Sequence, residues 1–137
     1  MRAGLALALV AIVAAGTALA DVKRLESVPE ALWGRWAESM ELCESGGVTV
    51  FEISAKSYGS AEARCTVMWV SEVPGLDGPI RSLHLLCPAP RQPPPQQNVE
   101  RMMESNLVFV PTKDPAKFSV GADFDRLTDY RHCGARK

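Results

Sequence analysis

Four cysteines constrain the fold of this chain more than any other feature of its sequence. They are Cys43, Cys65, Cys87 and Cys133. Their intervals of 22, 22 and 46 residues contain no C-x-x-C pair, and neither His84 nor His132 completes the ligand spacing of a zinc site. An even number of cysteines in a small domain predicts disulfides when the domain folds in an oxidising compartment. We therefore expect two bridges and no bound metal.

The N-terminus predicts that the chain reaches such a compartment. Arg2 precedes the apolar run Leu5 to Ala15, which is followed by Ala18-Leu19-Ala20. A short positive region, an apolar segment and a small-residue site are the three parts of a cleavable secretory signal peptide. The apolar run is shorter than the roughly 20 residues that a membrane-spanning helix needs. We predict that residues 1–20 are removed and that residues 21–137 work in the periplasm or outside the cell without a membrane anchor.

The expected mature part is long enough for one domain with a hydrophobic core, because it keeps 117 of the 137 residues. Loss of Arg2 lowers its formal net charge from −1 to −2, and acidic and basic residues are interspersed along the chain. Nucleic-acid binding requires a basic surface that displaces counterions. We expect one disulfide-stabilised domain that is monomeric and does not bind nucleic acid.

The sequence carries no recognisable catalytic or cofactor motif. It lacks G-x-S-x-G, H-E-x-x-H and a glycine-rich phosphate loop. His84 falls on the outer face of a predicted strand, and His132 is next to a cysteine that we expect to be bridged. Neither histidine has an identifiable partner for acid–base catalysis. We therefore expect no enzymatic activity and no cofactor.

Two segments show the two-residue periodicity of half-buried strands. In residues 61–70 one face carries Ala61, Ala63, Cys65, Val67 and Trp69. In residues 80–87 one face carries Leu83, Leu85 and Cys87. Residues 74–79 lie between the two segments and are dense in turn-forming proline, glycine and aspartate. The pattern predicts an antiparallel hairpin.

One register of this hairpin aligns every apolar pair and both thiols. With the turn centred on Leu76, it places Trp69 opposite Leu83, Val67 opposite Leu85, and Cys65 opposite Cys87. A slip by one residue would turn one set of side chains to the wrong face. The sequence pattern therefore favours this register.

The same register favours a bridge between Cys65 and Cys87, which leaves Cys43 to pair with Cys133. A bridge directly across two strands needs closely spaced Cα atoms, which occur mainly at non-hydrogen-bonded pairs. For that reason the alternative pairing, Cys43 with Cys65 and Cys87 with Cys133, stays open.

The start of the mature chain predicts a short N-terminal helix. Ser27 and Glu30 fit a capping box, and Pro29 falls in the first turn. Apolar residues at helical spacing extend this helix to about residue 42, whereas Gly34 would cost it about 1 kcal/mol relative to alanine. The other interpretation ends the helix near Trp33 and begins a strand at Arg35. Both interpretations stay open.

Strand signals dominate the rest of the chain. We predict further strands within residues 48–53, 106–110, 117–120 and 127–133, and a turn at residues 57–60. Residues 88–97 contain five prolines and three glutamines, so they cannot enter a sheet and predict an extended surface loop. Six or seven short strands with no alternating helices predict a mainly β fold, a small antiparallel barrel. Closure of the barrel would remove exposed sheet edges.

Residues 32–37 carry a resemblance to known proteins. Gly34-x-Trp36 resembles the opening signature of lipocalin-like barrels, including the periplasmic metalloprotease-inhibitor family of bacteria. Together with the leader, the spaced cysteines and the final Arg131-x-Cys133, it makes the chain similar to small exported lipocalin-like proteins of Gram-negative bacteria. The resemblance implies a lipocalin-like barrel in which Arg131 stacks across the tryptophan.

The inhibitor family implies two further expectations. Its members insert their N-terminal strand into the cleft of the enzyme, which here corresponds to residues 21–27. Its single disulfide corresponds to a bridge between Cys43 and Cys65, the alternative pairing above.

We expect a non-enzymatic binding protein, either an inhibitor of an envelope hydrolase or a small-ligand binder. Trp33, Trp36 and Arg131 are the candidate binding residues. A wide apolar cavity would favour ligand binding, and a filled core with an exposed N-terminal arm would favour inhibition. The alternative is a structural or interaction protein of the cell envelope that makes contact through the proline-rich loop.

Overall fold

A computed structural model of the chain describes residues 21–89 and 101–134, and strands make up most of its regular structure. The strands are β1 (Lys23–Leu25), β2 (Gly34–Ala37), β3 (Phe51–Ile53), β4 (Ser57–Ser60), β5 (Arg64–Val73), β6 (Ile80–Pro88), β7 (Met102–Pro111), β8 (Lys117–Gly121) and β9 (Thr128–His132). A single 3-10 turn, Glu30–Leu32, and the six-residue helix α1, Met40–Ser45, join some of them. The predicted leader and residues 90–97 of the predicted proline-rich loop lie outside the described residues. Pro88, the first residue of that predicted loop, is instead the last residue of β6 and lies opposite Met102.

The strands form a closed antiparallel barrel. Eight of them are hydrogen-bonded in the order β5-β4-β3-β2-β9-β8-β7-β6, and β6 pairs back with β5. β1 is an additional strand that pairs with β5 beyond the end of β4, opposite Val70 to Glu72. The predicted mainly β fold and antiparallel barrel are confirmed. Closure satisfies the backbone groups that an open sheet would leave at its two edges.

Alternating apolar residues fill the barrel interior. The buried core consists of Val28, Leu32, Trp36, Phe51, Ile53, Cys65, Val67, Val70, Leu83, Leu85, Phe109 and Val120. Trp36 packs edge to face against Phe109 and Phe118, with ring centroids 5.7 and 5.4 Å apart. Because these rings meet across the barrel, the core is held by aromatic side chains from strands that are distant in sequence.

A β-bulge corrects the predicted hairpin register. Val67 lies opposite Leu85, as predicted, but the register shifts by one residue between Val67 and Trp69. Trp69 therefore lies opposite His84, not Leu83. Val70, which is fully buried, takes the interior position instead. A bulge sets two residues of one strand against one of its partner, and here it turns Trp69 away from the core.

The predicted short N-terminal helix is not confirmed. After Pro29 the chain makes one 3-10 turn, and the Trp33 N–H donates to the carbonyl of Glu30. It then enters β2 at Gly34, so the interpretation that ended the helix near Trp33 describes this segment better. Pairing of β2 with both β3 and β9 provides backbone hydrogen bonds that outweigh the helical spacing of its apolar residues.

Two further strands differ from the sequence interpretation. Lys23–Leu25, for which the residues themselves predict no strand, is strand β1, and Ser57–Ser60, expected to be a turn, is strand β4. Both segments are short and mostly polar, so their strand pairing comes from the neighbouring strands and not from their own alternation.

The structure joins Cys65 to Cys87 and Cys43 to Cys133, the pairing that the hairpin register favours. The first bridge crosses directly from β5 to β6, with Cα atoms 4.3 Å apart. The second ties α1 to the residue after β9, across 90 residues of sequence. The alternative pairing implied by the inhibitor family is not formed. Two disulfides indicate an oxidising, non-cytoplasmic location.

Within the described part of the chain, helices are too short and too polar to cross a membrane.

Candidate functional site

The barrel interior is packed with side chains. Phe51 lies within 5.0 Å of Tyr130 and 6.0 Å of Phe109, measured between ring centroids, and Trp36 fills the space beside them. In residues 21–89 and 101–134 no buried side-chain nitrogen or oxygen lacks a hydrogen-bond partner. The buried side chains of the described residues are apolar, and aromatic rings take up much of the barrel interior.

The structure does not bring the three predicted binding residues together. Trp36 is only 1% exposed, and its indole Nε1 donates to the Leu32 carbonyl at 2.9 Å. It belongs to the core and cannot contact a partner. Trp33 is 39% exposed, while its Nε1 donates to the Val28 carbonyl at 2.8 Å. A partner could therefore touch only the outer part of the Trp33 ring.

Arg131 does not stack on the tryptophan, so that implication of the resemblance is wrong. It lies opposite Ala37 in the sheet register, and its Nη2 is 3.9 Å from Asp114 Oδ2. The residue that meets Trp36 is the next one, His132, whose ring centroid is 4.9 Å from the indole. Successive residues of a strand face opposite sides of the sheet, so only one of these two can point at Trp36.

The contact with His132 explains the glycine of the Gly34-x-Trp36 motif. A Cβ built on Gly34 would lie 2.7 Å from His132 Nε2, and Gly34 has a φ of +117°. The Nε2 nitrogen is 2.8 Å from the Trp33 carbonyl and donates to it, because Nδ1 accepts from the Gly134 N–H. The motif is therefore a packing device, in which glycine admits an imidazole beside the core tryptophan.

A polar and aromatic row crosses the outer face of four strands. It consists of Arg24 of β1, Trp69 of β5, His84 of β6 and Asn106 of β7, and we call it the Trp69 row. The Arg24 guanidinium carbon is 4.6 Å from the centroid of the Trp69 ring. The indole and the His84 imidazole stack with centroids 3.5 Å apart and planes inclined by 12°.

The surroundings of His84 disfavour its charged form. Partial burial is the main cause that lowers the pKa of His84 below 6.5, and the nearby Arg24 lowers it further. The polar side chain of the neighbouring Asn106 and the charge of Glu104 act in the opposite direction. Around neutral pH the row therefore presents one cation, the guanidinium of Arg24, next to two flat rings.

The bulge in β5 creates the Trp69 row. With strict alternation Trp69 would point inward beside Val67, as the sequence pattern predicts. The extra residue, Met68, turns the indole outward and is itself 44% exposed next to the row. The adjacent apolar residues Trp69 and Val70 are the sequence signal for this bulge, since only one of them can occupy the inner face.

In comparisons with protein-family models, curated proteins and solved structures, nothing was found that matches this chain. The resemblance to lipocalin-like and inhibitor proteins therefore stays a prediction from the sequence.

Proposed function

We propose that this chain is an exported, non-enzymatic binding protein that recognises another protein through the Trp69 row and strand β1. The observation that carries the proposal is the outward stack of Arg24, Trp69 and His84. Tryptophan and arginine are enriched among the few residues that carry most of the binding energy of protein interfaces, and a rigid indole buries a large area at a small entropic cost. A filled barrel interior supports a partner outside the barrel.

Strand β1 supports a partner with an extended segment. In the described part of the chain β1 pairs with β5 alone, so its other edge offers unpaired backbone groups from Lys23 to Leu25. A partner strand could add to this edge by main-chain hydrogen bonds. Arg24 of the same strand lies over the indole and 3.8 Å from Glu26 in an exposed ion pair, so an acidic side chain on the partner could replace Glu26 at a cation that stacking positions.

The finer proposal is that the partner is an envelope hydrolase and that binding inhibits it. The sequence resemblance assigns enzyme contact to residues 21–27, and β1 lies within these residues, next to the Trp69 row. Inhibition requires no catalytic group in this chain, because an occupied cleft excludes substrate. The proposed site of action is the periplasm or the cell exterior, and the protein acts as a monomer.

A quantitative capture experiment tests the proposal. Mature, oxidised protein would be immobilised and exposed to an envelope extract, and each captured protein would be purified and titrated by calorimetry. Trp69→Ala should weaken the specific complex by about 30-fold, the equivalent of about 2 kcal/mol. Phe124→Ala is the matched control, because Phe124 is an exposed aromatic residue outside the row. It should leave the affinity unchanged.

The outcomes separate the proposal from its alternative. A stoichiometric loss of hydrolase activity that Trp69→Ala relieves would support inhibition. A row-dependent partner whose activity does not change would favour the structural or interaction role in the envelope. Equal affinity of wild type and Trp69→Ala for every captured protein, with both variants folded by circular dichroism, would refute this surface as the binding site.

A further inference from the structure

An open cleft of about 470 Å³ lies on the outside of the barrel and uses no residue of the Trp69 row. Its lining comes from β2, β3, β4 and the start of β5, together with the Gly46-Gly47 turn that follows α1. Ligand sites in proteins commonly occupy about 300–1,000 Å³. The cleft is therefore large enough for a small polar molecule, although it is too open to enclose one.

A cross-strand row with one missing side chain forms the centre of the cleft. Arg35, Glu52, Gly59 and Arg64 are direct neighbours in register across the four strands. Gly59 leaves a gap one residue wide between Glu52 and Arg64. Neighbouring strands lie about 4.8 Å apart, so these two backbones are separated by roughly 10 Å at the gap.

Neither backbone conformation nor packing requires a glycine at position 59. In the described chain the glycines with positive φ are Gly34, Gly46, Gly78 and Gly134. A Cβ on Gly59 would have no neighbour closer than Arg64 Cγ, at 4.0 Å. Glycine weakens a strand, and it often marks a place where a ligand approaches the backbone closely. The missing side chain at Gly59 thus leaves room for a ligand to approach the strand backbone.

The charged groups of the cleft are available to such a group. Arg35, Arg64 and Glu52 are its charged lining residues in the described segments, which gives a net charge of +1. None of the ion pairs between described residues includes any of the three. Arg35 Nη1 donates to the Cys43 carbonyl at 3.1 Å, which positions that guanidinium and leaves its other N–H groups free for a ligand.

We propose that this cleft binds a small molecule that carries a carboxylate next to hydrogen-bond donors. The guanidinium group of either Arg35 or Arg64 matches a carboxylate in shape and charge. Glu52 between them accepts from hydroxyl or ammonium groups of the same ligand, and it repels a dianion such as phosphate. An acidic sugar and the C-terminus of a short peptide share this chemistry.

Four probes test the proposal on the mature, oxidised protein. Glucuronic acid and alanylalanine carry the carboxylate, while glucose and alanylalanine amide are their counterparts without it. Each would be titrated to about 10 mM, enough to detect a millimolar dissociation constant, while backbone amide shifts are followed by NMR. At least one acid should give saturable shifts at Gly47, Gly59 and Arg64, and its neutral counterpart should not.

Three variants locate the binding. Gly59→Val fills the gap in a strand position that suits a β-branched residue, so it should abolish binding and leave the fold intact. Arg64→Gln should weaken binding at least tenfold. Lys113→Gln removes an exposed charge elsewhere and should have no effect.

Saturation by only one of the two acids would support the proposal and show whether the ligand is an acidic sugar or a peptide C-terminus. Absence of saturable shifts with both acids would overturn it. Equal binding of the neutral probes, or unchanged binding in folded Gly59→Val, would overturn it too.

Discussion

Gly34→Ala is the most informative perturbation of the Gly34-x-Trp36 motif. Gly34 has a φ of +117°, and a Cβ there would lie 2.7 Å from His132 Nε2. The new methyl group would force the backbone or the imidazole to move. Movement of the imidazole would break its hydrogen bond to the Trp33 carbonyl and its edge contact with Trp36.

The expected cost follows from these two effects. A non-glycine residue in such a backbone conformation costs about 1–3 kcal/mol, and loss of the hydrogen bond costs about 0.5–1.5 kcal/mol. We expect Gly34→Ala to lower the free energy of unfolding by about 2–4 kcal/mol. Because small domains are stable by about 5–15 kcal/mol, the variant should still fold.

Urea unfolding followed by tryptophan fluorescence measures this change on the oxidised protein. Gly59→Ala is the matched control, because that position has neither a positive φ nor a close neighbour. It should be neutral or stabilise the protein by about 0.4–1 kcal/mol, since alanine restricts the unfolded chain. The reasoning would be refuted if Gly34→Ala cost no more than Gly59→Ala.

A double variant separates the steric contact from the backbone strain. His132→Ala removes the imidazole that the new methyl group would meet. If the contact contributes, Gly34→Ala and His132→Ala together should cost about 1 kcal/mol less than the sum of the single variants. Strictly additive costs would show that the backbone conformation alone requires the glycine.

Three further predictions concern the second bridge, the imidazole of the Trp69 row and one surface ion pair. Replacing Cys43 and Cys133 together by alanine should lower the free energy of unfolding in urea by about 4–5 kcal/mol, because their bridge closes 90 residues. Removing the bridge between Cys65 and Cys87, which closes only 22 residues, should lower it by about 3 kcal/mol. Equal losses would contradict the loop-entropy argument. His84 should titrate below pH 6.5 when its ring is followed by NMR. Between pH 6.5 and the lower pKa of the folded state, the unfolded chain binds more protons than the folded one, so the free energy of unfolding should fall as the pH drops. A titration midpoint at or above 6.5 would contradict the burial effect. Arg131→Ala should change stability by less than about 1 kcal/mol, because its ion pair with Asp114 is long and exposed; a larger loss would indicate a role that the ion pair does not explain.

Most of the strands could be predicted because their own residues alternate. β5 and β6 bury every second side chain over several residues, and a dense turn separates them. β1 and β4 could not be predicted, since three or four mostly polar residues carry no periodic signal. They are strands because β5 offers them hydrogen-bonding partners.

The candidate surfaces were less accessible to prediction than the fold. The sequence makes Trp36 a candidate binding residue, yet it lies in the core, and strict alternation places Trp69 on the inner face, yet it lies on the outer one. A single bulge at Met68 accounts for the second error, because one inserted residue reverses the facing of all that follow. The cleft at Gly59 joins residues of four strands, and no local sequence signal brings those residues together.

The sequence by itself determined the facing of Cys65 and Cys87, since alternation and a short turn are local properties that act within one hairpin. It also determined that the chain would be mainly β. Tertiary structure decided which residue meets Trp36, where the sheet closes and which side of it Trp69 occupies. Those outcomes depend on contacts such as that between Trp33 and His132, which are 99 residues apart, and no local pattern encodes a contact that forms only when the barrel closes.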